Sequence, residues 1–340
     1  MKLLKQFIQQ ETVLTAAAVL AVVSAFFVPP DVQYLGYIDL RTLAILFSLM
    51  TVMAGLRRQG FFDGLGRALL SRTHSTFQLT LVLVGLCFFG SMFITNDVSL
   101  LTFVPFTFVV LSRLGADVRR SLLIPVVCMQ TIAANLGSML TPIGNPQNLY
   151  LYRLSGLRFS AFLTLMLPYV LLSGGALALL LVFRRREPLR FTPAEVRPGN
   201  TRGLLCCALG FVLCMLALAE LLPAPAVAAV VLLFLLFADR GLLRSLDYSL
   251  LCTFLAFFVF IGNMERVEPF RLWLRSTLAG NELPAAVLTS QVISNVPAAL
   301  LLSGFTSDWR ALIVCFNLGG LGTLIASMAS LISYKQLAGA

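Results

Sequence analysis

Charge is what this 340-residue chain has least of: 12% Asp, Glu, Lys and Arg, against roughly a quarter in a soluble domain. With 59% hydrophobic residues and a mean hydropathy of +0.91, that shortage excludes a soluble globular protein and leaves an integral membrane protein. Histidine is almost missing as well, and the single His74, in a polar loop, cannot build a histidine metal site. The seven cysteines (Cys87, Cys128, Cys206, Cys207, Cys214, Cys252, Cys315) lie in apolar runs without zinc or redox spacing. They read as small hydrophobes of membrane helices. No GxxxxGK[ST] loop is present, so the chain does not read as one that hydrolyses a nucleotide itself. No nucleophile–base pair or metal cluster points to an enzyme, and no cofactor is implied. The first apolar run ends in Pro29-Pro30 with no small-residue cleavage pattern, so it does not read as a removable signal. A net charge of +10 suggests nucleic acid only until the Lys and Arg are placed. They sit in short loops between apolar runs, as in a multi-span protein.

What the chain has instead is a set of apolar runs interrupted in a patterned way. Residues 1–35 hold one N-terminal span, with its apolar run at 12–28. Residues 36–183 form a first unit: a helix at 39–55 closed by Arg57-Arg58, an interfacial helix at 61–72, and two apolar arms at 79–94 and 98–111. Each arm is only ~14–16 residues, short of the ~20 a span needs, so the pair reads as a re-entrant hairpin (79–111) with Thr95, Asn96 and Asp97 at its tip. A broken helix (122–152) and a long span (161–183) follow. The polar segment 184–203, with Pro188, Pro193 and Pro198, reads as a cytoplasmic linker. Residues 204–340 form the second unit. After spans at 204–222 and 227–238, helix 247–262 repeats the acidic start and glycine end of 39–55. Segment 265–279 repeats the interfacial helix, 284–305 the hairpin, now with Ser294 and Asn295 at the tip, and 310–334 the broken helix.

The two breaks carry the argument. NLGSMLTPIGNPQNLYLY (135–152) and NLGGLGTLIASMASLISY (317–334) share Asn, Leu, Gly, Thr, Ile, Leu and Tyr in an ungapped overlay, where chance gives about one or two identities, so the chain contains an internal repeat. Glycine and proline open both helices. Open backbone is tolerated at membrane depth only where protein or a watery cavity satisfies it. Paired broken helices point to a transporter's binding site. Placing the N-terminus in the cytoplasm leaves only Arg41, Arg153, Arg158, Arg266, Arg271, Arg275 and Arg310 of the 25 Lys and Arg outside. In that orientation Asp39 opens its helix outside and Asp247 inside, so the repeats are inverted. The fold class expected is an all-α polytopic membrane protein of inverted-topology repeats, in the bacterial inner membrane.

The tips and breaks should meet near the midplane. Freed helix N-termini there suit an anion, while freed carbonyls and Asn, Ser and Thr oxygens suit Na⁺ or a proton carrier. The structural alternative is that these side chains only cap helix ends and join helices. Asp97 is the one carboxylate placed deep in the membrane, where an ionisable group is functional by default; the second repeat has Val296 there.

ITNDVSLL, TPIGNPQN, ISNVPAALL and NLGGLGTLIAS resemble the hairpin and unwound-helix motifs of the ion transporter superfamily, which holds divalent-anion/sodium symporters, citrate transporters and arsenite-pump membrane subunits. The flavour is that of its anion-permease branch. The resemblance spans most of residues 36–335 and implies a homodimer with scaffold and transport domains and an elevator-type movement. It implies substrate contacts from Thr95, Asn96, Asn145, Ser294, Asn295, Thr323 and Ser327, and cation binding or coupling by Asp97, Asn135, Gly137, Ser138, Thr141, Asn148, Gly319 and Gly322. Na⁺ at the tips and breaks, or H⁺, would be the coupling ion. The tips depart from the paired Ser-Asn-Thr of the dicarboxylate symporters, and the chain stops five residues after Lys335, where relatives carry another span. The function expected is secondary transport of a small anion. The alternatives are efflux of a metalloid such as arsenite, with a soluble ATPase partner, and Na⁺/H⁺ antiport.

Overall fold

The computed structural model describes residues 11–71, 73–183, 187–188, 200–238 and 240–338. Most of the expected linker, with its arginines at 184–186, lies outside these residues. Among them the chain is helical, with one isolated antiparallel bridge between Ser75 and Pro188. The helices are α1 (Thr12–Phe27), α2 (Tyr34–Tyr37), α3 (Leu40–Arg58), α4 (Phe61–Leu70), α5 (Thr76–Gly90), α6 (Asn96–Leu111), α7 (Ala116–Ser138), α8 (Pro146–Ser155) and α9 (Phe159–Val182). After the linker come α10 (Thr201–Leu218), α11 (Ala224–Ala238), a 3₁₀ turn (Arg240–Ser245), α12 (Tyr248–Arg266), α13 (Glu268–Leu278), α14 (Glu282–Ile293), α15 (Asn295–Ser303), α16 (Trp309–Gly319) and α17 (Met328–Ala338). Five of them, α3, α7, α9, α10 and α12, are long and apolar enough to cross a membrane.

Capping chemistry moves several boundaries away from where the apolar runs begin. Ser75 accepts a hydrogen bond from the Gln78 amide and starts α5 ahead of its first leucine. Thr95 does the same for Val98, so Asn96 and Asp97 stand in the first turn of α6 and the turn itself is residues 91–95. The expected tip at 95–97 is therefore displaced by one cap. The second hairpin turns on the single residue Ser294. The breaks are residues 139–145 between α7 and α8, and 320–327 between α16 and α17. Asp39 and Asp247 cap α3 and α12 alike, accepting from the amides of Thr42 and Leu250.

α3 and α12 run in opposite directions. The start of α3 lies by the end of α12, where the Arg266 guanidinium donates to the Tyr37 hydroxyl at 3.0 Å. The end of α3 shares a cavity with the start of α12. α10 and α11 pack on α3, and the N-terminal α1 packs along α12. There the Asn263 amide donates to the Ser24 hydroxyl at 2.9 Å and the Tyr34 hydroxyl at 2.8 Å. Ion pairs Arg153–Asp39, Arg41–Glu220 and Arg266–Asp31 gather on one face of the molecule. The other helices form a core in which each hairpin packs on its own broken helix, α5 and α6 on α7, α14 and α15 on α16. The second half of each broken helix crosses over: α8 packs on α15 and α16, and α17 on α6 and α7. Tyr150, Phe254 and Phe258 tie α8 to α12, with ring centroids 5.7–6.3 Å apart.

Candidate functional site

Each hairpin is fastened to its break by the same contacts. The Asn96 amide donates to the Gly144 carbonyl and the Asn295 amide to the Ala326 carbonyl, both at 3.0 Å. Four residues before each Asn, a carbonyl receives a threonine hydroxyl: Thr141 to Met92 at 2.6 Å and Thr323 to Gln291 at 3.0 Å. A Cβ on Gly137 would lie 1.9 Å from the Phe88 carbonyl oxygen, and one on Gly319 would lie 2.4 Å from Ser290 Oγ. Phe88 and Ser290 belong to the facing arms, α5 and α14, so both glycines allow a hairpin arm to touch the broken helix. Gly144 and Ala326, Thr141 and Thr323, Gly137 and Gly319 are matching positions of the sequence overlay. One carbonyl freed by each break is thus satisfied by the hairpin tip, and a threonine of each break satisfies a carbonyl of its hairpin in return.

Side chains then join the two units. Asn135 Oδ1 accepts from Asn96 Nδ2 at 3.1 Å and from Ser327 Oγ at 2.9 Å. Asn317, its counterpart, accepts from Asn145 Nδ2 at 3.4 Å and donates to Asn148 Oδ1 at 2.6 Å. Since Asn145 matches Ser327 in the overlay, the links Asn135–Ser327 and Asn317–Asn145 are one contact made twice. Ser138 Oγ receives Asn145 Nδ2 at 2.7 Å, and Asn148 Nδ2 reaches the Ser138 and Thr141 carbonyls. All these Asn and Ser residues are buried. Asn145 sits at the N-cap of α8, yet its side chain makes no capping bond, so its place here is not that of a helix cap. Thr95, in contrast, does cap.

The structure therefore brings together Asn96, Asn135, Ser138, Thr141, Asn145, Asn148 and Ser327 of the residues singled out in the sequence. Ser294 and Asn295 lie against the second break, apart from this cluster. Ser294 is 2% exposed at φ +76° and ψ 158°, a region kept almost for glycine. Such strain, about 1–3 kcal/mol, gathers at functional turns. Gly322 and Thr323 are exposed, held by Gln291, whose Oε1 accepts from the Thr323 amide at 2.8 Å and whose Nε2 donates to the Gly319 carbonyl at 2.5 Å.

The Asp97 carboxylate makes no hydrogen bond with the asparagine cluster among the described residues, although it borders one of its members. With Thr95 and Asn145 it lines a cavity of about 460 Å³ bounded by α3, α6, the start of α8 and the start of α12, into which Arg57, Arg58 and Asp247 also face. Asp97 Oδ1 and Asn145 Oδ1 in this cavity, and Asn295 Oδ1 at the second tip, are buried without a hydrogen-bond partner among the described residues. Buried acceptors are normally paired, so these oxygens, one at each tip and one in the first break, can receive a ligand that is a donor or a cation.

Sequence reasoning missed three participants. Gln130, fully buried in α7, donates to the Leu83 carbonyl at 3.1 Å and to Thr107 Oγ1 at 2.9 Å, clasping both arms of the first hairpin. Gln291 does related work in the second. Asp247, read only as a helix start, shares the cavity of Asp97. A lone Gln in an apolar run was the available signal for the first two.

A family model described as citrate transporter (CitMHS) matches residues 7–308. An inner membrane protein of Escherichia coli, YbiR, is 30% identical over 331 residues, covering 92% of this chain and 84% of its own. A Methanocaldococcus jannaschii protein described as an uncharacterized transporter is 30% identical over 300 residues, 88% of this chain and 81% of its own. A silicon efflux transporter of Oryza sativa subsp. japonica is 32% identical over 166 residues, 48% of this chain and 33% of its own. The family model and two of these three relatives are described as transporters. With broken helices, hairpins and five helices long and apolar enough to span in place, the chain belongs to the citrate transporter family of the ion transporter superfamily, as an integral membrane transporter.

Proposed function

We propose that the chain is a secondary active transporter of the bacterial inner membrane, N-terminus in the cytoplasm, that carries a small anion coupled to Na⁺ or H⁺. The observation that carries this reading is the doubled tip–break unit: one set of contacts made twice by halves whose α3 and α12 run in opposite directions. Inverted repeats built in this way place a substrate between them and expose it alternately to each side. The hairpins are re-entrant. α5 and α6 have 15 and 16 residues, or about 22–24 Å of helix, less than the ~30 Å of a hydrocarbon core. Their loose ends lie at opposite ends of the scaffold pair: Arg113, just past α6, shares a crevice with Arg57 at the end of α3, and Gly304, just past α15, lies against Glu265 at the end of α12.

The cavity supplies the chemistry. The N-termini of α6 and α8 open onto it, and their partial positive charge, with Arg57 and Arg58, attracts an anion. Asp97 and Asp247 balance those arginines, so an anion entering this low-dielectric space is best accompanied by a cation. The unpartnered oxygens of Asp97 and Asn145 can take Na⁺, or Asp97 can take a proton. Transport then moves the hairpin–break core against the α3, α10 and α11 scaffold in an elevator-like step, the chain working as a homodimer. The test is uptake by proteoliposomes of labelled citrate, phosphate, sulfate or arsenate under imposed Na⁺ and proton gradients. Accumulation of one anion, dependent on one gradient, is expected; no gradient-dependent movement of any anion would overturn the reading. The likeness to a silicon efflux transporter supports a second reading, export of a small neutral hydroxide, for which silicic or arsenous acid in the same vesicles is the substrate to try.

A further inference from the structure

We propose that the crevice between the amphipathic helix α4 and the hairpin arm α6 is a binding site for the headgroup of an anionic phospholipid. This does not depend on what the chain transports. A cavity of about 360 Å³ lies there, rimmed by Arg57, Arg67 and Arg113 with Asp63 as its only carboxylate among the described residues, and walled by Pro105, Phe106 and Val109 of α6. Three guanidinium groups against one carboxylate make a site for a phosphate, which arginine receives with two parallel hydrogen bonds. Arg57 is positioned by donating to the Leu101 carbonyl at 2.9 Å. The Arg113 guanidinium makes no hydrogen bond or ion pair with the described residues.

The surroundings select a lipid over a free anion. Phe61, Leu65 and Leu69 of α4 are each more than two-fifths exposed and recur every fourth residue, so they form one apolar stripe that helix packing leaves uncovered. A short helix with such a stripe and basic residues beside it lies in the headgroup region with the stripe among acyl chains. Pro105 and Val109, exposed on α6, carry that apolar surface into the crevice under the arginines. Gly66 lets α4 rest on the Phe106 ring, which a Cβ there would approach to 2.8 Å. A ligand with a phosphate head and two apolar chains matches both parts at once. Basic pockets between membrane helices take such headgroups.

The matching place in the second repeat is different. Between α12, α13 and α15 lies a cavity of about 640 Å³ whose charged residues are Glu265, Glu282 and Arg275. Two carboxylates against one arginine repel a phosphate. The lipid site thus belongs to one membrane face, and it joins the helix that follows the α3 scaffold to an arm of the first hairpin.

The experiment is thermal unfolding of the purified full chain in mixed micelles, titrated with dioleoyl phosphatidylglycerol, dioleoyl phosphatidylcholine or inorganic phosphate. A ligand bound by the folded state alone raises the midpoint. Phosphatidylglycerol is expected to raise it at far lower concentration than phosphatidylcholine, and any shift from inorganic phosphate, which the transport site could also give, should be the same in variants of Arg67 and Arg113. Arg67→Gln with Arg113→Gln should weaken the phosphatidylglycerol response by roughly 25-fold, about fivefold for each arginine. Arg275→Gln, on the opposite face, should leave it unchanged. If the double variant does not fold, Arg113→Gln alone, at an exposed side chain without a partner, should still show about a fivefold loss. Equal responses to the two lipids, an undiminished response in the variants, or a matching shift from inorganic phosphate that the same variants abolish would each overturn the proposal.

Discussion

A methyl group on Gly137 would collide with backbone, because its Cβ would stand 1.9 Å from the Phe88 carbonyl oxygen and 2.7 Å from the carbonyl carbon. At Gly319 the nearest atom is a serine hydroxyl that can rotate away. Gly137→Ala should therefore cost about 2–3 kcal/mol or prevent folding, and Gly319→Ala about 1 kcal/mol or less. SDS titration of the purified variants beside wild type measures both, and equal costs would contradict the geometry. Ser294 should behave in the opposite sense. Glycine relieves its positive φ, so Ser294→Gly should be neutral or more stable by up to about 1 kcal/mol in the same titration. At the tips, Asn96→Ala still leaves Asn135 Oδ1 its bond from Ser327, so the cost in stability should be only about 1 kcal/mol. Transport should be abolished by Asn96→Ala and by Asn295→Ala, with normal expression of both. Activity lost in only one of them would mean that the tips are not equivalent.

Hairpins and breaks were the elements most legible in the sequence, because glycine, proline and Asn in two overlaid segments mark backbone that leaves the helix. Their edges were less so. A Ser or Thr one turn ahead of an apolar run extends the helix through its cap, which moved α5 to Thr76 and drew Asn96 and Asp97 into α6. Which side chains meet across the repeat was not readable at all, since Asn135–Ser327 and Asn148–Asn317 depend on α8 and α17 crossing to the other unit. Thr73, in the loop before the first hairpin, is only 5% exposed because its hydroxyl tucks back onto the Leu70 carbonyl, so it does not serve as a labelling position. Ser71, Ser112, Asn281 and Ser307 are exposed. In a cysteine-free background, single cysteines at Ser71 and Ser112 should react only with a cytoplasmic reagent, and those at Asn281 and Ser307 only with an external one. External labelling at Ser112 would mean that the first hairpin crosses the membrane, and the two units would not be inverted.

At the scale of the whole molecule, charge is sorted. Asp31, Asp39, Arg41, Arg153, Glu220 and Arg266 pair on one face, while Arg57, Arg58, Asp97 and Asp247 share a cavity reached from the other. Positive charge in loops hinted at this sorting. The role of α1 could not be foreseen, because an apolar span carries no mark of the helix it will pack against, here α12 through Ser24 and Asn263. In the proposed function, Asp97 is the group of this cavity that would link ion movement to the substrate. Its Oδ1 has no partner among the described residues, it stands at the first turn of the hairpin arm, and its place in the second repeat is taken by Val296. Asp97→Asn keeps the size of the side chain and removes its charge and its exchangeable proton. The decisive measurement is anion uptake into proteoliposomes holding wild type or Asp97→Asn, with Na⁺ and proton gradients imposed in turn. The account predicts that the variant still exchanges substrate down its own gradient but no longer accumulates it against one. Accumulation by Asp97→Asn at the full wild-type level, with the same ion dependence, would contradict it.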